Sequence, residues 1–337
     1  MGNTKKTALV ISGGGAKGAF AVGIINWIYD HHRQDGWFDI VGGTSTGALI
    51  SPMAALMGHK DQSIREEVKK TLELTYSTVY TKDILDKENI FQLIFRMHSL
   101  YQSDPLKKLI ESTLCAEWFE WLKSPEAPDC YVVYVNYQSG QKKYLFAKDA
   151  ANRDEFIEAM IASASVPVVM EGTFIGEKLC YDGGVRDLLP FSEAINQGAQ
   201  RILPIFLDPE KLNVQEKPRK KIYNVLLRTI EILVDEAGQN DYKMADLINI
   251  GIQIKQELLQ KFAGDAGTLE KIREVLDKQE YQDLVGPEKQ LIDIIEGLRP
   301  DQALTDDSLK FEPEKMKQWM EMGSKKAGEV IKENPFL

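Results

Sequence analysis

Short apolar runs alternate with helical patterns over the first part of the chain. Residues 7–12 (TALVIS) form an apolar run that leads into three glycines, which is typical of a buried parallel strand. Apolar residues recur at helical spacing from Gly18 to about His32, and residues 37–42 predict a second strand. The Ala-, Leu- and Met-rich residues 46–57 predict a buried helix. This order predicts an α/β fold with a mainly parallel sheet covered by helices on both faces.

The middle of the chain extends this pattern with further helices, a hairpin and two strands. Ser139-Gly140 separates two strand-like runs and so predicts a β-hairpin. Pro167 is expected to follow the end of a helix. The predicted elements are helices at roughly 61–78 and 104–123, hairpin strands at 130–138 and 142–147, a helix at 153–164, and strands at 178–182 and 201–207.

From about residue 211 the composition changes to helix formers with many charges. Apolar positions predict one helix over 222–233 and a separate one over 244–258. The run 291–298 predicts a late strand, and Pro313 is well placed in the first turn of a final helix that runs to Lys332. We expect a single domain over 1–337, with a core at 7–210, a helical excursion at 211–285, and a closing strand and C-terminal helix at 286–337.

Charge and composition exclude several classes of function. The net charge of −10 argues against nucleic acid as a partner and against tight binding to anionic lipid, although transient contact with a membrane surface remains open. The N-terminus lacks the features of a signal peptide, and no run of about 18 apolar residues is present. Three cysteines without a pattern predict reduced, buried thiols. A cytoplasmic location is therefore expected, and the oligomeric state is left open.

Three glycine-rich motifs follow predicted strands and should converge on one edge of the sheet. They are the G-x-G-x-x-G motif Gly13–Gly18, the G-x-S-x-G motif Gly43–Gly47, and Asp182-Gly183-Gly184. The G-x-S-x-G pattern is typical of a nucleophilic serine, here Ser45, on a tight strand-to-helix turn. A glycine loop before a helix can supply the backbone N–H donors that stabilise an oxyanion.

The histidines do not suit the usual catalytic triad. An α/β-hydrolase triad runs serine, acid, histidine along the chain, and no histidine follows residue 98. A structural or solvated role is favoured for the histidines, which are His31, His32, His59 and His98. A carboxylate bonded directly to Ser45 then becomes the economical base, and burial would raise its pKa into a useful range. Asp182 is the candidate.

Together with SASVP at 163–167 and DGGVRDLLP at 182–190, these motifs resemble the patatin-like phospholipase family. The resemblance covers 7–207 and the C-terminal segment 308–323, but not 211–285. It implies an α/β/α fold and hydrolysis of fatty acyl esters of phospholipids or related lipids by a Ser–Asp dyad. Carried over by motif, Ser45 is the nucleophile and Asp182 the general base and acid, and the oxyanion-hole residues are Gly13, Gly14 and Gly15. Lys17 stands where many relatives have arginine.

Three other functions remain open. The G-x-G-x-x-G motif also matches a dinucleotide fingerprint, but Gly42-Gly43 stand where its acidic residue should end the second strand. Acyl transfer to an acceptor other than water would use the same serine, although such relatives carry a downstream histidine. A non-catalytic lipid-binding protein would retain the turn. His, Cys and acidic residues show no metal-ligand spacing, so no metal and no cofactor are expected, and activity should be independent of calcium.

Three further segments have two interpretations each. The aromatic cluster Trp118, Phe119 and Trp121 favours a core helix over a lipid anchor. The stretch 91–101 favours core packing over a lid or acyl-chain wall. The excursion 211–285 is a cap over the site or an interaction surface, and the sequence does not decide between them.

Overall fold

The structure is a computed structural model that describes residues 5–32, 36–84, 86–87, 101–102, 104–210, 222–286, 291–295 and 297–333. Its strands are β1 (Thr7–Ile11), β2 (Ile40–Thr44), β3 (Asp86–Lys87), β4 (Tyr101–Gln102), β5 (Asp129–Asn136), β6 (Lys142–Phe146), β7 (Thr173–Ile175), β8 (Lys178–Asp182), β9 (Arg201–Ile205) and β10 (Asp293–Ile294). Its helices are α1 (Gly18–His32), α2 (Thr46–Leu56), α3 (Gln62–Thr78), α4 (Thr81–Ile84), α5 (Asp104–Thr113), α6 (Ala116–Leu122), α7 (Arg153–Ala164), α8 (Phe191–Asn196), α9 (Ile222–Lys261), α10 (Ala266–Leu276), α11 (Gln282–Val285) and α12 (Pro313–Glu333).

One mixed sheet organises the described part of the chain. Its strand order is β10-β9-β1-β2-β5-β8-β7, and β6 pairs with β5 off this path. The five strands from β10 to β5 run parallel, with Ala8 of β1 opposite Ile40 of β2 and Ile202 of β9. Antiparallel pairing occurs at the other end, where β6 and β8 pair with β5 and β7 pairs with β8. The predicted mainly parallel sheet is confirmed.

Helices cover both faces of this sheet. Alternate residues of β1 point to opposite faces, so Leu9 and Ile11 join one buried apolar cluster while Ala8 and Val10 join the other. The first cluster contains the buried faces of α1, α2, α7 and α12. The second contains α8 and the middle of α9. The predicted three-layer α/β/α architecture, with helical additions in the C-terminal half, is confirmed.

The final helix packs closely against the first. A side chain at Gly23 of α1 would collide with the main-chain carbonyl of Met320, and one at Gly323 of α12 would collide with that of Phe20. Because both glycines lack a Cβ, the two backbones approach each other at this crossing. Residues near the C-terminus therefore help to build the same core as the N-terminal βα unit.

Helix α7 begins and ends as its sequence predicts. The Asn152 side chain caps it by accepting a hydrogen bond from the Glu155 N–H at 2.9 Å. The helix ends at Ala164, shortly before Pro167. A proline disfavours helical geometry at the residue that precedes it. The end of α7 is consequently a defined point, and it lies beside the candidate site.

Several predicted elements differ from the structure. The two helices expected within 222–258 are one continuous helix, α9, because the polar stretch between them faces a cavity and does not break the helix. The helix expected over 104–123 is two helices, α5 and α6, and only two residues of 291–298 form strand β10. Cys130 and Cys180 are buried free thiols as expected, but Cys115 is exposed.

Two other predictions concern apolar segments. Trp118 and Phe119 are buried in the core, whereas Trp121 is partly buried against it. Residues 91–100 lie outside the described part of the chain. Among the described helices, none combines the length and the apolar character that crossing a membrane requires.

Candidate active site

Ser45 makes the turn between β2 and α2 by itself. β2 ends at Thr44 and α2 begins at Thr46, and Ser45 has φ 56° and ψ −124°. Residues other than glycine rarely adopt such a positive φ, and holding a residue in this conformation costs roughly 1–3 kcal/mol. The Ser45 N–H donates to the Ser163 hydroxyl oxygen at 2.9 Å. The serine is 9% exposed, so this strained turn presents it at the edge of a cavity.

The glycines of the G-x-S-x-G motif are required by crowding. A Cβ on Gly43 would lie 2.5 Å from the Gly47 carbonyl oxygen. A Cβ on Gly47 would collide with the main-chain carbonyl of Ile11. The spacing that the sequence shows is therefore what this tight strand-to-helix turn needs.

Asp182 lies at the end of β8, opposite the serine turn. One carboxylate oxygen accepts the Gly184 N–H at 2.7 Å, and Ser45 and Asp182 line the same cavity. Burial raises the pKa of Asp182 to about 7, although the hydrogen bonds from Gly184 and Ser45 act in the opposite direction. A carboxyl group with this pKa can exchange a proton near neutral pH.

The glycine loop approaches Ser45 directly. A Cβ on Gly13 would lie 3.0 Å from the Ser45 Cβ, and Gly15 has φ +56°. The loop is held from behind, because the Ala16 N–H donates to the Ser308 carbonyl at 2.8 Å. The N–H groups of Gly13 and Gly14 donate to no described part of the chain, which leaves both donors available to a ligand.

Lys17 ties this loop to the residues after β9. Its ammonium lies 2.6 and 2.5 Å from the two carboxylate oxygens of Asp208, and the lysine is buried. A lysine at this place could act either as a cation near the reacting atoms or as a residue that orients the loop. An ion pair with Asp208 favours the second interpretation, because the ammonium is already engaged.

Ser45, Asp182, the loop Gly13–Gly15 and Lys17 line one cavity of about 1190 Å³. One part of the wall is apolar and includes Leu49, Met53, Leu72, Leu106, Ile110 and Met160. Another part is polar and comes mainly from α9, with Arg228, Asp235, Gln239, Tyr242, Lys243 and Asp246. A molecule with an apolar chain and a polar head suits such a wall. α9 belongs to the segment 211–285, for which the sequence left a cap and an interaction surface open.

A second set of hydrogen bonds connects Thr44, which precedes Ser45, with the segment that follows Asp182. The Thr44 hydroxyl donates to the main-chain carbonyl of Asp187 at 2.9 Å. The buried Asp187 carboxylate accepts from the Lys142 ammonium at 2.7 Å and the Tyr144 hydroxyl at 2.5 Å. Burial, followed by the nearby Asp187 charge, raises the pKa of Tyr144, which keeps it protonated as a donor.

Sequence reasoning did not assign a role to any of these supporting residues. Ser163 and Asp187 fall within segments noted only as matches to a family, and Thr44 stands inside the serine motif. Ser163 and its partner Ser45 are 118 residues apart along the chain, and Thr44 and its partner Asp187 are 143 residues apart. The only local signal for these supporting residues is that polar residues stand directly beside the motifs.

The histidines with described positions stand elsewhere. The His31 Nδ1 lies 2.8 Å from the Trp27 carbonyl oxygen, and the ring stacks on Trp27. His59 accepts the Asp61 N–H at 2.9 Å through its Nδ1. His31, His32 and His59 do not line the cavity, and His98 lies outside the described residues. Within the described ranges, no three His, Cys, Asp or Glu side chains converge to hold a metal ion.

Comparisons with known proteins identify similar chains. The family model described as Patatin-like phospholipase matches residues 9–195, more than half of the chain. The uncharacterized protein L620 of Acanthamoeba polyphaga mimivirus is 35% identical over 75 residues, which cover 21% of this chain and 19% of that protein. The match therefore spans about a fifth of that relative's length. The crystal structure of VipD from Legionella pneumophila has a TM-score of 0.46 and 12% identity, and the match covers 98% of this chain and 67% of that one.

Proposed function

Since the chain belongs to the patatin-like phospholipase family, we propose that it is a lipid acyl hydrolase acting on fatty acyl esters of phospholipids or related lipids. The observation that carries the proposal is that Ser45, on its strained turn, and the buried Asp182, whose pKa is raised, line the same cavity. This pair faces a cavity with an apolar wall and a polar wall. The proposed nucleophile is Ser45, and the proposed base is Asp182.

The first half of the reaction forms an acyl-enzyme. Asp182 accepts the Ser45 proton as the serine oxygen attacks the ester carbonyl carbon. Negative charge then develops on the carbonyl oxygen, and N–H donors of the loop Gly13–Gly15 stabilise it. The carbon–oxygen bond to the alcohol breaks, and Asp182 returns the proton to that leaving oxygen. An acyl group on Ser45 and a free alcohol or lysolipid result.

Water completes the cycle through the same groups. Asp182, again a carboxylate, takes a proton from a water molecule that attacks the acyl carbonyl. The same loop stabilises the second oxyanion. When the bond to Ser45 breaks, Asp182 gives the proton back to the serine oxygen, and a fatty acid leaves. A single carboxylate with a pKa of about 7 can serve in both directions, because neither protonation state is strongly disfavoured near neutral pH.

The direct test is release of fatty acid from phosphatidylcholine, together with hydrolysis of a short-chain nitrophenyl ester. We expect both substrates to be cleaved by the purified protein and its Ser45 to be modified by a fluorophosphonate. The nitrophenyl ester separates the chemistry from access to a lipid aggregate. A protein that cleaves neither substrate and is not modified at Ser45 would contradict the proposal.

The pH dependence of the rate should follow Asp182. Only the deprotonated carboxylate can accept the serine proton, so kcat/KM should rise about tenfold per pH unit at acidic pH and level off above about pH 7. The measurement is hydrolysis of the nitrophenyl ester from pH 5 to 9 at constant ionic strength. Samples returned to pH 8 after each incubation control for irreversible unfolding. A rate that is already constant at pH 5 would exclude a base with this pKa.

Calcium removal should leave the rate unchanged. In the proposed mechanism the general base is a protein carboxylate and the oxyanion donors are backbone N–H groups. We therefore expect a chelator such as EGTA, in large excess, to change fatty-acid release from phosphatidylcholine less than about twofold. The nitrophenyl ester assay, which needs no lipid aggregate, serves as the parallel control. A loss that added calcium restores would refute calcium independence.

A further inference from the structure

The end of α7 is hydrogen-bonded to both proposed catalytic turns. The Ser163 hydroxyl oxygen accepts the Ser45 N–H at 2.9 Å. Two residues later, the main-chain carbonyl of Ser165 accepts the Asp182 N–H at 2.9 Å. Ser163 and Ser165 are both fully buried. One short segment therefore contacts the nucleophile and the base through their backbones.

This connection matters because the two turns are not on neighbouring strands. Ser45 follows β2 and Asp182 ends β8, and β5 pairs with both of these strands. No ladder between β2 and β8 sets the separation of the two residues. The segment 163–165 contacts both turns and can set that separation directly.

The Ser45 N–H lies outside the regular hydrogen-bond patterns of the strand and the helix that flank it. It lies between the last residue of β2 and the first residue of α2, so its position belongs to neither the ladder nor the helix. A buried N–H without an acceptor is costly, and a positive φ at a serine persists only when its surroundings hold it. Ser163 supplies that acceptor by its side chain, whereas any residue at 165 would supply a carbonyl.

We propose that Ser163 is a positioning residue for the hydrolysis: its hydroxyl holds the strained Ser45 backbone and keeps the serine oxygen within hydrogen-bond reach of Asp182. The inference rests on the proposed function. Ser163 does not line the cavity, and its hydroxyl contacts the Ser45 backbone N–H. Its loss should therefore reduce the rate of the chemical step and leave substrate binding nearly unchanged.

The test compares Ser163→Ala, which removes the acceptor, with Ser163→Thr, which keeps a hydroxyl at the same place. Ser51→Ala is the matched control, because Ser51 is also fully buried and its hydroxyl donates to the Gly47 carbonyl at 2.7 Å within α2. The measurements are kcat and KM for the nitrophenyl ester, the rate of Ser45 modification by a fluorophosphonate, and the midpoint of thermal unfolding.

We expect Ser163→Ala to lower kcat by about 10²-fold and the modification rate in parallel, with KM changed less than about threefold. Ser163→Thr and Ser51→Ala should stay within about threefold of the unaltered protein in kcat. A purely structural role for Ser163 would not require kcat to be preserved in Ser163→Thr, so this measurement distinguishes a structural role from a positioning role.

Two results would overturn the positioning role. In the first, Ser163→Ala keeps a normal kcat. In the second, Ser163→Ala and Ser51→Ala lose activity equally and in proportion to their loss of thermal stability. An unaltered protein that is inert towards every ester, with Ser45 unmodified by the fluorophosphonate, would instead refute the proposed function and the positioning role together. An active protein with an unaffected Ser163→Ala variant refutes the positioning role alone.

Discussion

Replacing Ser45 with alanine should reduce fatty-acid release from phosphatidylcholine by at least ~10³-fold, because the nucleophilic oxygen is gone. Alanine accepts the same backbone as serine, so the turn at φ 56° and the hydrogen bond from residue 45 N–H to Ser163 should both persist. The thermal unfolding midpoint should therefore change little. The measurement is product release over time for purified protein and variant at pH 8.

The control for this variant is Ser51→Ala, which removes a buried hydroxyl within α2, six residues after Ser45 along the chain. It should keep a rate within about threefold of the unaltered protein. A folded Ser45→Ala variant with substantial activity would show that another residue is the nucleophile. A loss of activity shared equally by both variants would point to a folding defect in α2.

Replacing Asp182 with asparagine should reduce the rate by a similar factor, at least ~10³-fold, because an amide cannot accept the serine proton. The amide oxygen can still accept the Gly184 N–H, so the turn should remain folded. Asp129→Asn is a matched control, since that carboxylate pairs with Lys6 and Lys148 and does not line the cavity. If Ser45→Ala is inactive and Asp182→Asn is active, the base lies elsewhere, and the histidines would be tested next.

The same variant should also change how stability depends on pH. Burial raises the folded-state pKa of Asp182 from 3.8 to about 7. Between these values the folded protein holds a proton that the unfolded chain releases, so the contribution of Asp182 is greatest below about pH 4 and declines up to about pH 7. Asparagine has no such dependence. The difference in unfolding free energy between the two proteins should therefore shift in favour of Asp182→Asn from pH 4 to 7.

That shift is measured by denaturant unfolding of both proteins at several pH values. Asp129→Asn again serves as the comparison, because it removes a carboxylate that does not line the cavity. Parallel curves for Asp182→Asn and the unaltered protein would contradict a raised pKa at Asp182. They would also remove the reason for expecting the rate to level off near pH 7.

Local patterning was sufficient for most of the central elements. β1, α2, α7 and the hairpin of β5 and β6 form within a few residues of their predicted bounds, because apolar period and turn residues act over short distances. The same patterning did not predict that α9 is one continuous helix. The apolar positions of 222–233 and 244–258 predict two helices, but Gly238 between them packs against Leu188 and α9 continues past it.

The sequence by itself determined the strand-to-helix turns and the motifs on them, because crowding at Gly43 and Gly47 depends on residues that are close along the chain or on the adjacent strand. The identity of Ser45 and Asp182 as candidates follows from those motifs. Only the tertiary structure decided what surrounds them. Ser163 and Lys17 find their partners 118 and 191 residues away, and α9 supplies the polar cavity wall. Such contacts depend on which elements pack together in the fold. The local periodicity of the sequence does not contain that information.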